Sequence, residues 1–156
     1  PARTTARLFL ILILLAVGRV QSGGQNISTV VGYAPGGIAE GTNTNGGKAT
    51  ASELNLPSAV STHTDGSIYI IDAGNRRIRK INTAGNIFTV AGLSGIEGFS
   101  GDGGPASDAQ IDPLGSNRAV SIGMDAAGNF YIPDTDNHRV RKVTVSTGII
   151  YISGCI

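Results

Sequence analysis

The chain has 156 residues and a formal net charge of +1, with 23 glycines, 15% charged residues and 5% aromatic residues. This length limits it to about one domain, and a hydrophobic share of 40% argues against wholesale disorder. The near-zero charge excludes the positive field that recruits nucleic acid or acidic membranes, and many glycines with few charges favour short strands joined by tight turns.

The N-terminal segment has the pattern of a secretory signal peptide. Arg3 and Arg7 precede an apolar run over residues 8–17. A bilayer-spanning helix needs about 20 apolar residues, whereas a signal-peptide core needs about 7–15. We therefore expect a signal-peptide helix over residues 1–22 with cleavage after Ser22, no stable membrane span, and a secreted or cell-surface protein. A buried strand or an uncleaved anchor is the alternative.

Two single residues near the ends of this sequence bear on export. Asn26 opens the tripeptide Asn-Ile-Ser, an acceptor sequence for N-glycosylation near the expected mature N-terminus. Cys155 is the single cysteine, so it cannot form a disulfide within the chain.

An internal repeat of about sixty residues dominates the sequence. Residues 66–81, GSIYIIDAGNRRIRKI, match residues 128–143, GNFYIPDTDNHRVRKV, at eight of sixteen positions with an offset of 62. A second block, Ile followed five residues later by Gly, occurs at residues 27–32, 87–92 and 149–154, with offsets of 60 and 62. Because two different blocks share nearly one period, we interpret the chain as tandem structural units.

Each unit has the pattern of a four-stranded antiparallel meander. The β-prone runs of the first unit are residues 59–63, 68–71, 77–81 and 87–91. Those of the second unit are residues 121–125, 130–132, 139–143 and 149–153. Turn sequences such as Asp-Gly and Ala-Gly-Asn separate them. In the third strand apolar and basic residues share faces, so we expect a bulge there or Lys80 lying along the sheet.

The second strand of the first unit has apolar residues on both faces. Ile68 and Ile70 share one face, while Tyr69 and Ile71 share the other. A lone sheet would leave one apolar face in water, but stacked units bury both, and radial stacking of such sheets is a β-propeller. We therefore predict an all-β fold of propeller blades.

The repeated units resemble the NHL repeat, a family of propeller blades. The resemblance rests on residues 66–80 and 128–143, and the stretch GFSGDGGPA at residues 98–106 is similar to an insertion common in exported NHL-repeat proteins. It implies a propeller, usually six-bladed in that family, that acts mainly as a binding surface. Pro133, which stands where the first unit has Ile71, departs from the pattern and removes a ladder donor.

The domain boundaries follow from the repeat. We predict a signal peptide at 1–22, the last strand of a preceding blade plus a Gly-rich insertion at 23–56, a blade at 57–92, a Gly-rich insertion loop at 93–118 and a blade at 119–154. Two blades cannot close a ring, which needs about 4–8. We therefore expect an incomplete ring, either a fragment whose further blades come from a longer chain or a chain that self-associates.

Two aspartates are expected to hold turns. Asp72 and Asp134 each end a second strand and are followed three residues later by Asn75 and Asn137. Such side chains commonly bond nearby backbone N–H groups and stabilise the turn. A calcium loop is the alternative, but Val145 stands where the closing glutamate would be needed.

Two basic runs, residues 76–80 and 138–142, occupy matching places in the units. Nucleic-acid binding is one interpretation, and the NHL resemblance keeps it open because some members bind RNA. The near-zero charge, the predicted export and the lack of interleaved aromatic residues argue against it. We expect instead that Arg77 and Arg139 pair with the turn aspartates, giving one structural ion pair in each blade.

The two long insertions, residues 33–56 and 93–118, are predicted to emerge at equivalent places and to form one rim of the ring. Long loops are often functional. Ile96, Phe99 and Asp102 are the candidate contact residues on this rim. A packed loop that only braces neighbouring blades is the alternative.

The sequence has no recognisable catalytic, cofactor-binding or metal-binding cluster. His63 and His138 do not occupy matching positions, and residues 57–61 and 119–123 of the inner strands offer no acidic residue or histidine. We predict a non-catalytic scaffold, without cofactor, that binds a protein or a glycan. The alternatives are part of a six-bladed enzyme of the lactonase or lyase type, with its catalytic residues in other blades, and a structural spacer in a larger cell-surface protein.

Overall fold

The computed structural model describes residues 28–32, 45–114 and 121–155. The predicted signal peptide and Asn26 lie outside this range. Within it the chain forms eight β-strands and short 3-10 turns. Among the residues that the structure describes, no helix has the length and apolar character that a bilayer crossing requires.

The strands form two antiparallel sheets of four. The first blade contains β1 (Pro57–Thr62), β2 (Ile68–Asp72), β3 (Arg77–Ile81) and β4 (Ile87–Ala91). The second blade contains β5 (Gly123–Met124), β6 (Phe130–Asp134), β7 (Arg139–Thr144) and β8 (Ile149–Cys155). Consecutive strands are neighbours in both sheets, so each blade is a meander. The predicted all-β fold of four-stranded blades is confirmed.

The bulge expected near the third strand is present, but the extra residue lies on the fourth. The β3–β4 register skips Val90, and the β7–β8 register skips Ser153. Lys80 also extends along the sheet as expected: its ammonium lies 5.3 Å from the centroid of the Tyr69 ring and 3.8 Å from the Asp65 carboxylate. The extended lysine accounts for a basic residue on the Ile78 face of β3, whereas the bulge changes only β4.

The two fourth strands, β4 and β8, are related by an offset that is one residue larger than the 62 that the sequence predicted. Ile81 pairs with Ile87, whereas its counterpart Val143 pairs with Ile150. Ile87 therefore corresponds to Ile150, an offset of 150 − 87 = 63, and not to Ile149. The prediction was wrong by one residue because the Ile-to-Gly spacing of the block selects Ile149, which has Gly154 five residues later, whereas the chain between β7 and β8 is one residue longer than that between β3 and β4.

One hydrophobic core joins the two blades. It contains Tyr69 and Ile71 from the first blade, Phe130 and Ile132 from the second, and Ile111 from the connection between them. The rings of Tyr69 and Phe130 have their centroids 5.2 Å apart. The face of β2 that carries Tyr69 and Ile71 is therefore buried by the next blade, as stacking requires.

Each blade is preceded by a segment that pairs with that blade's own fourth strand. Gly46 donates its N–H to the Ile87 carbonyl at 2.7 Å, and Gly103 donates to the Ile150 carbonyl at 2.8 Å. We call residues 45–56 the first insertion segment and residues 93–114 the second insertion segment. The repeating unit is thus an insertion segment followed by a blade.

Residues 28–32 do not form the predicted strand. A fourth strand needs the third strand of its own blade as a hydrogen-bonding partner, and the described residues contain no such strand beside them. Gly32 nevertheless occupies the place that Gly92 takes after β4. Its N–H donates to the Ala49 carbonyl at 3.3 Å, as Gly92 donates to the Ala106 carbonyl at 2.9 Å, and both glycines have positive φ.

Candidate functional site

The turn after β2 is held by a buried carboxylate. Asp72 accepts hydrogen bonds from the Asn75 side chain at 2.9 Å and from the Asn55 N–H at 2.7 Å. Gly74 in the turn donates to the Asn55 carbonyl at 2.9 Å. Because Asn55 belongs to the first insertion segment, Asp72 ties that segment to the loop face of the blade, meaning the edge that carries the β2–β3 turn.

The second blade repeats this arrangement. Asp134 accepts from the Asn137 side chain at 2.8 Å and from the Asp112 N–H at 2.6 Å, while Asp136 donates its N–H to the Asp112 carbonyl at 3.1 Å. Burial raises the pKa of Asp72 and of Asp134, although the N–H donors and nearby arginines act in the opposite direction.

The ion pair in the second blade is displaced by two residues from the prediction. Arg141, not Arg139, lies against Asp134, with Nη1 and Oδ2 3.5 Å apart. Asp134 and Arg139 are direct cross-strand partners, but the diagonal neighbour on the same face is also within reach of a long guanidinium. Arg139 instead donates to the Asn137 carbonyl at 2.9 Å.

In the first blade, Asp72 is approached by two arginines. Arg79 lies with Nη1 3.6 Å from Asp72 Oδ2, and the predicted partner, Arg77, acts as a second positive charge on the same carboxylate. Burial lowers the pKa of Arg77 and of Arg79, and the Arg79 charge adds to the effect on Arg77.

Arg141 also holds the second insertion segment in place. It donates to the Gln110 carbonyl at 2.9 Å and to the Ser100 carbonyl at 3.0 Å, and its Nη2 lies 2.9 Å from Asp102. Asp102, expected on the rim as a contact residue, is therefore turned toward a buried guanidinium. Sequence reasoning missed Arg141 as the organising residue because nothing local separates it from the other basic residues in its run.

Three large apolar side chains of the second insertion segment remain exposed. They are Leu93, Ile96 and Phe99, at 39%, 43% and 36%, and we call them the rim patch. Ile96 and Phe99 were predicted contact residues. Leu93 was missed, although an apolar residue in a Gly/Ser-rich stretch is a signal that could have found it.

The rim patch lies on a segment that is anchored to both blades. The Arg139 guanidinium carbon lies 3.8 Å from the centroid of the Phe99 ring. Asn137 donates to the Gly98 carbonyl at 2.9 Å, and Glu97 forms an ion pair with Arg76 of the first blade. These contacts hold the segment in one position while its apolar side chains face solvent.

The two histidines lie apart. His63 has Nδ1 3.1 Å from Asp65, and His138 is exposed at the end of the turn that follows β6. In the portion of the chain that the structure describes, no three residues of the types His, Cys, Asp and Glu come close enough to hold a metal ion.

These features define two consecutive blades of a β-propeller. The chain is 29% identical over 108 residues to human Teneurin-1 and 30% identical over 102 residues to human Teneurin-4. These two matches cover 62% and 58% of this chain, respectively. It spans only 4% of the length of either protein. A crystal structure of a protein of unknown function from Bacteroides thetaiotaomicron has a TM-score of 0.51 at 20% identity, over 65% of this chain and 24% of that chain, a likeness of fold alone. No protein-family profile matches the chain.

Proposed function

We propose that this chain is an exported, non-catalytic propeller segment whose rim patch binds a protein. The observation that carries the proposal is the exposure of Leu93, Ile96 and Phe99 within seven residues of one anchored segment. A loop that only braced the blades would bury such side chains, and clustered exposed apolar groups on a folded surface mark interaction sites. Export rests on the apolar run at residues 8–17.

The composition of the rim patch favours a protein over a glycan. A sugar ring stacks best on a free aromatic face, but Arg139 lies directly over the Phe99 ring. Aliphatic side chains such as Leu93 and Ile96 instead suit the apolar centre of a protein interface. The Arg76–Glu97 ion pair beside them supplies the polar margin that such interfaces have.

The anchoring of the segment favours binding energetically. Ordering a loop on binding costs free energy, and a segment already held in its bound position avoids most of that cost. Arg141 and Asn137 hold the segment through the carbonyls of Ser100 and Gly98. The rim patch is therefore presented on a rigid support.

The test compares two variants with matched exposure. Ile96→Ser removes part of the rim patch, while Val145→Ser changes a side chain that is 44% exposed in the turn after β7. The immobilised full chain is used to isolate binding proteins from extracellular extract, and each purified binder is then titrated against all three forms. We expect at least tenfold weaker binding to Ile96→Ser and unchanged binding to Val145→Ser. A binder that tolerates both changes equally would show that the rim patch is not the contact surface.

A further inference from the structure

A cleft lies between the two blades, and no residue of the rim patch lines it. Its volume is about 350 Å³. Tyr69, Phe130 and Val143 form its buried floor, whereas Val145, another lining residue, is 44% exposed. Pockets that hold small molecules begin at about 300 Å³. We call this space the inter-blade cleft, and its size suits a small ligand.

The bulge in β4 shapes one wall of the inter-blade cleft. Thr89 and Val90 are consecutive residues, and both line the cleft. In a regular strand such neighbours point to opposite faces of the sheet. Val90 is the residue that the β3–β4 register skips, and a bulge of this kind redirects a side chain. The bulge therefore allows one wall to present a hydroxyl and an apolar side chain next to each other.

Lys80 supplies the charge of the inter-blade cleft. Among the described residues that line the cleft it is the one charged residue, and its side chain is 25% exposed. Asp65 Oδ2 lies 3.8 Å from the ammonium, which is too long for a hydrogen bond, and the other Asp65 oxygen accepts from the Ser67 N–H at 2.8 Å. Because an ammonium has three donors, Lys80 retains the capacity to bind an acceptor that enters the cleft.

We propose that the inter-blade cleft binds a small carboxylate with an apolar chain, whose anionic end lies at Lys80 and whose chain packs on Val90 and Val143. Charge complementarity selects an anion, because the lining includes a cation and no acidic side chain. The apolar floor favours an alkyl chain over a compact anion such as phosphate, since each buried methylene group stabilises the complex. The proposal concerns a small molecule and is independent of the protein that the rim patch binds.

The test titrates octanoate into the full chain, with octanol as the neutral analogue of the same chain length. We expect saturable octanoate binding with a Kd of about 1 mM or below, an affinity that a ligand of about ten non-hydrogen atoms can reach. Octanol should bind at least tenfold more weakly, because it brings no charge to Lys80. Octanoate should also shift the amide NMR signals of Thr89 and Val90, which line the cleft.

Two lysine variants with matched structural effects locate the site. Lys80→Met should weaken octanoate binding at least tenfold, while Lys142→Met should leave it unchanged. Lys142 has the same surroundings in the second blade, with its ammonium 3.8 Å from the Asp125 carboxylate and 5.4 Å from the centroid of the Tyr131 ring. Both ion pairs are partly exposed, so their loss is expected to have similar, small effects on folding.

Asp65→Asn supplies a second measurement of the same site. It removes the carboxylate that faces the Lys80 ammonium, so octanoate should bind this variant more tightly than the wild type. The proposal would be overturned by a lack of saturation up to about 10 mM octanoate, or by equal effects of Lys80→Met and Lys142→Met. It would equally be overturned if Asp65→Asn did not strengthen binding, or if the amide shifts lay only outside the inter-blade cleft.

Discussion

Arg141 and Asp134 form an ion pair in which neither side chain is exposed to solvent, with Nη1 and Oδ2 3.5 Å apart. Removing both charges from water costs about as much as their attraction returns, so such a pair adds little net stability. Its consequence here is positional, because Arg141 also binds the carbonyls of Ser100 and Gln110. The pair thereby determines where the second insertion segment lies.

Loss of Arg141 should destabilise the protein strongly. Arg141→Leu leaves the buried Asp134 carboxylate without its counter-charge, and we expect the free energy of unfolding to fall by about 3–5 kcal/mol. Arg139→Leu removes a cation–π contact with Phe99 and a hydrogen bond to the Asn137 carbonyl, and we expect a smaller fall of about 1–2 kcal/mol. Urea denaturation of both variants measures the difference. Equal losses would contradict the assignment of the ion pair to Arg141.

Gly92 should not tolerate a side chain. Its φ is +95°, and a Cβ there would lie 2.2 Å from the Arg76 carbonyl oxygen, which is backbone and cannot move aside cheaply. We expect Gly92→Ala to cost several kcal/mol or to prevent folding. Gly85→Ala, at φ +75° with open space around it, should cost about 1–2 kcal/mol. Thermal unfolding compares the two, and similar midpoints would argue against the close contact at Gly92.

Asp65 should make the protein less stable in acid. The Ser67 N–H, followed by the contact with His63, lowers the pKa of Asp65 from 3.8 to about 2. Because the folded pKa lies below the unfolded one, the stabilisation is present above about pH 4 and is lost as the pH falls toward 2. The difference in unfolding temperature between the wild type and Asp65→Asn should shrink over this interval. If the difference in unfolding temperature stayed constant over this pH interval, the predicted contribution of Asp65 would be wrong.

Asp102 should hold the second insertion segment without being essential to the fold. Asp102→Asn removes the charge that faces Arg141 Nη2 at 2.9 Å, and we expect a loss of about 1 kcal/mol with faster amide exchange at Gly103 and Gly104. Asp108→Asn, which changes an exposed residue of the same segment, is the control and should leave that exchange unchanged. If exchange at these glycines were the same in both variants, Asp102 would not be an anchor.

The strands were predictable because their signals are local. The β-prone runs next to the two Ala-Gly-Asn turns predict β3 and β4 with the bounds that the structure has. The correspondence of β4 with β8 was missed by one residue, because of the two adjacent isoleucines it is Ile149, and not Ile150, that has a glycine five residues later. Only the pairing of Val143 with Ile150 decides between them.

The sequence by itself determined the repeated unit, the four-stranded meander and the aspartate that holds each β2–β3 or β6–β7 turn, since these depend on side-chain alternation and on contacts three residues apart. Tertiary structure alone decided that Arg141 meets Asp134 and that Asp102 turns inward. These depend on how far a side chain reaches across a twisted sheet and on what an insertion segment covers. Neither quantity is encoded in spacing along the chain.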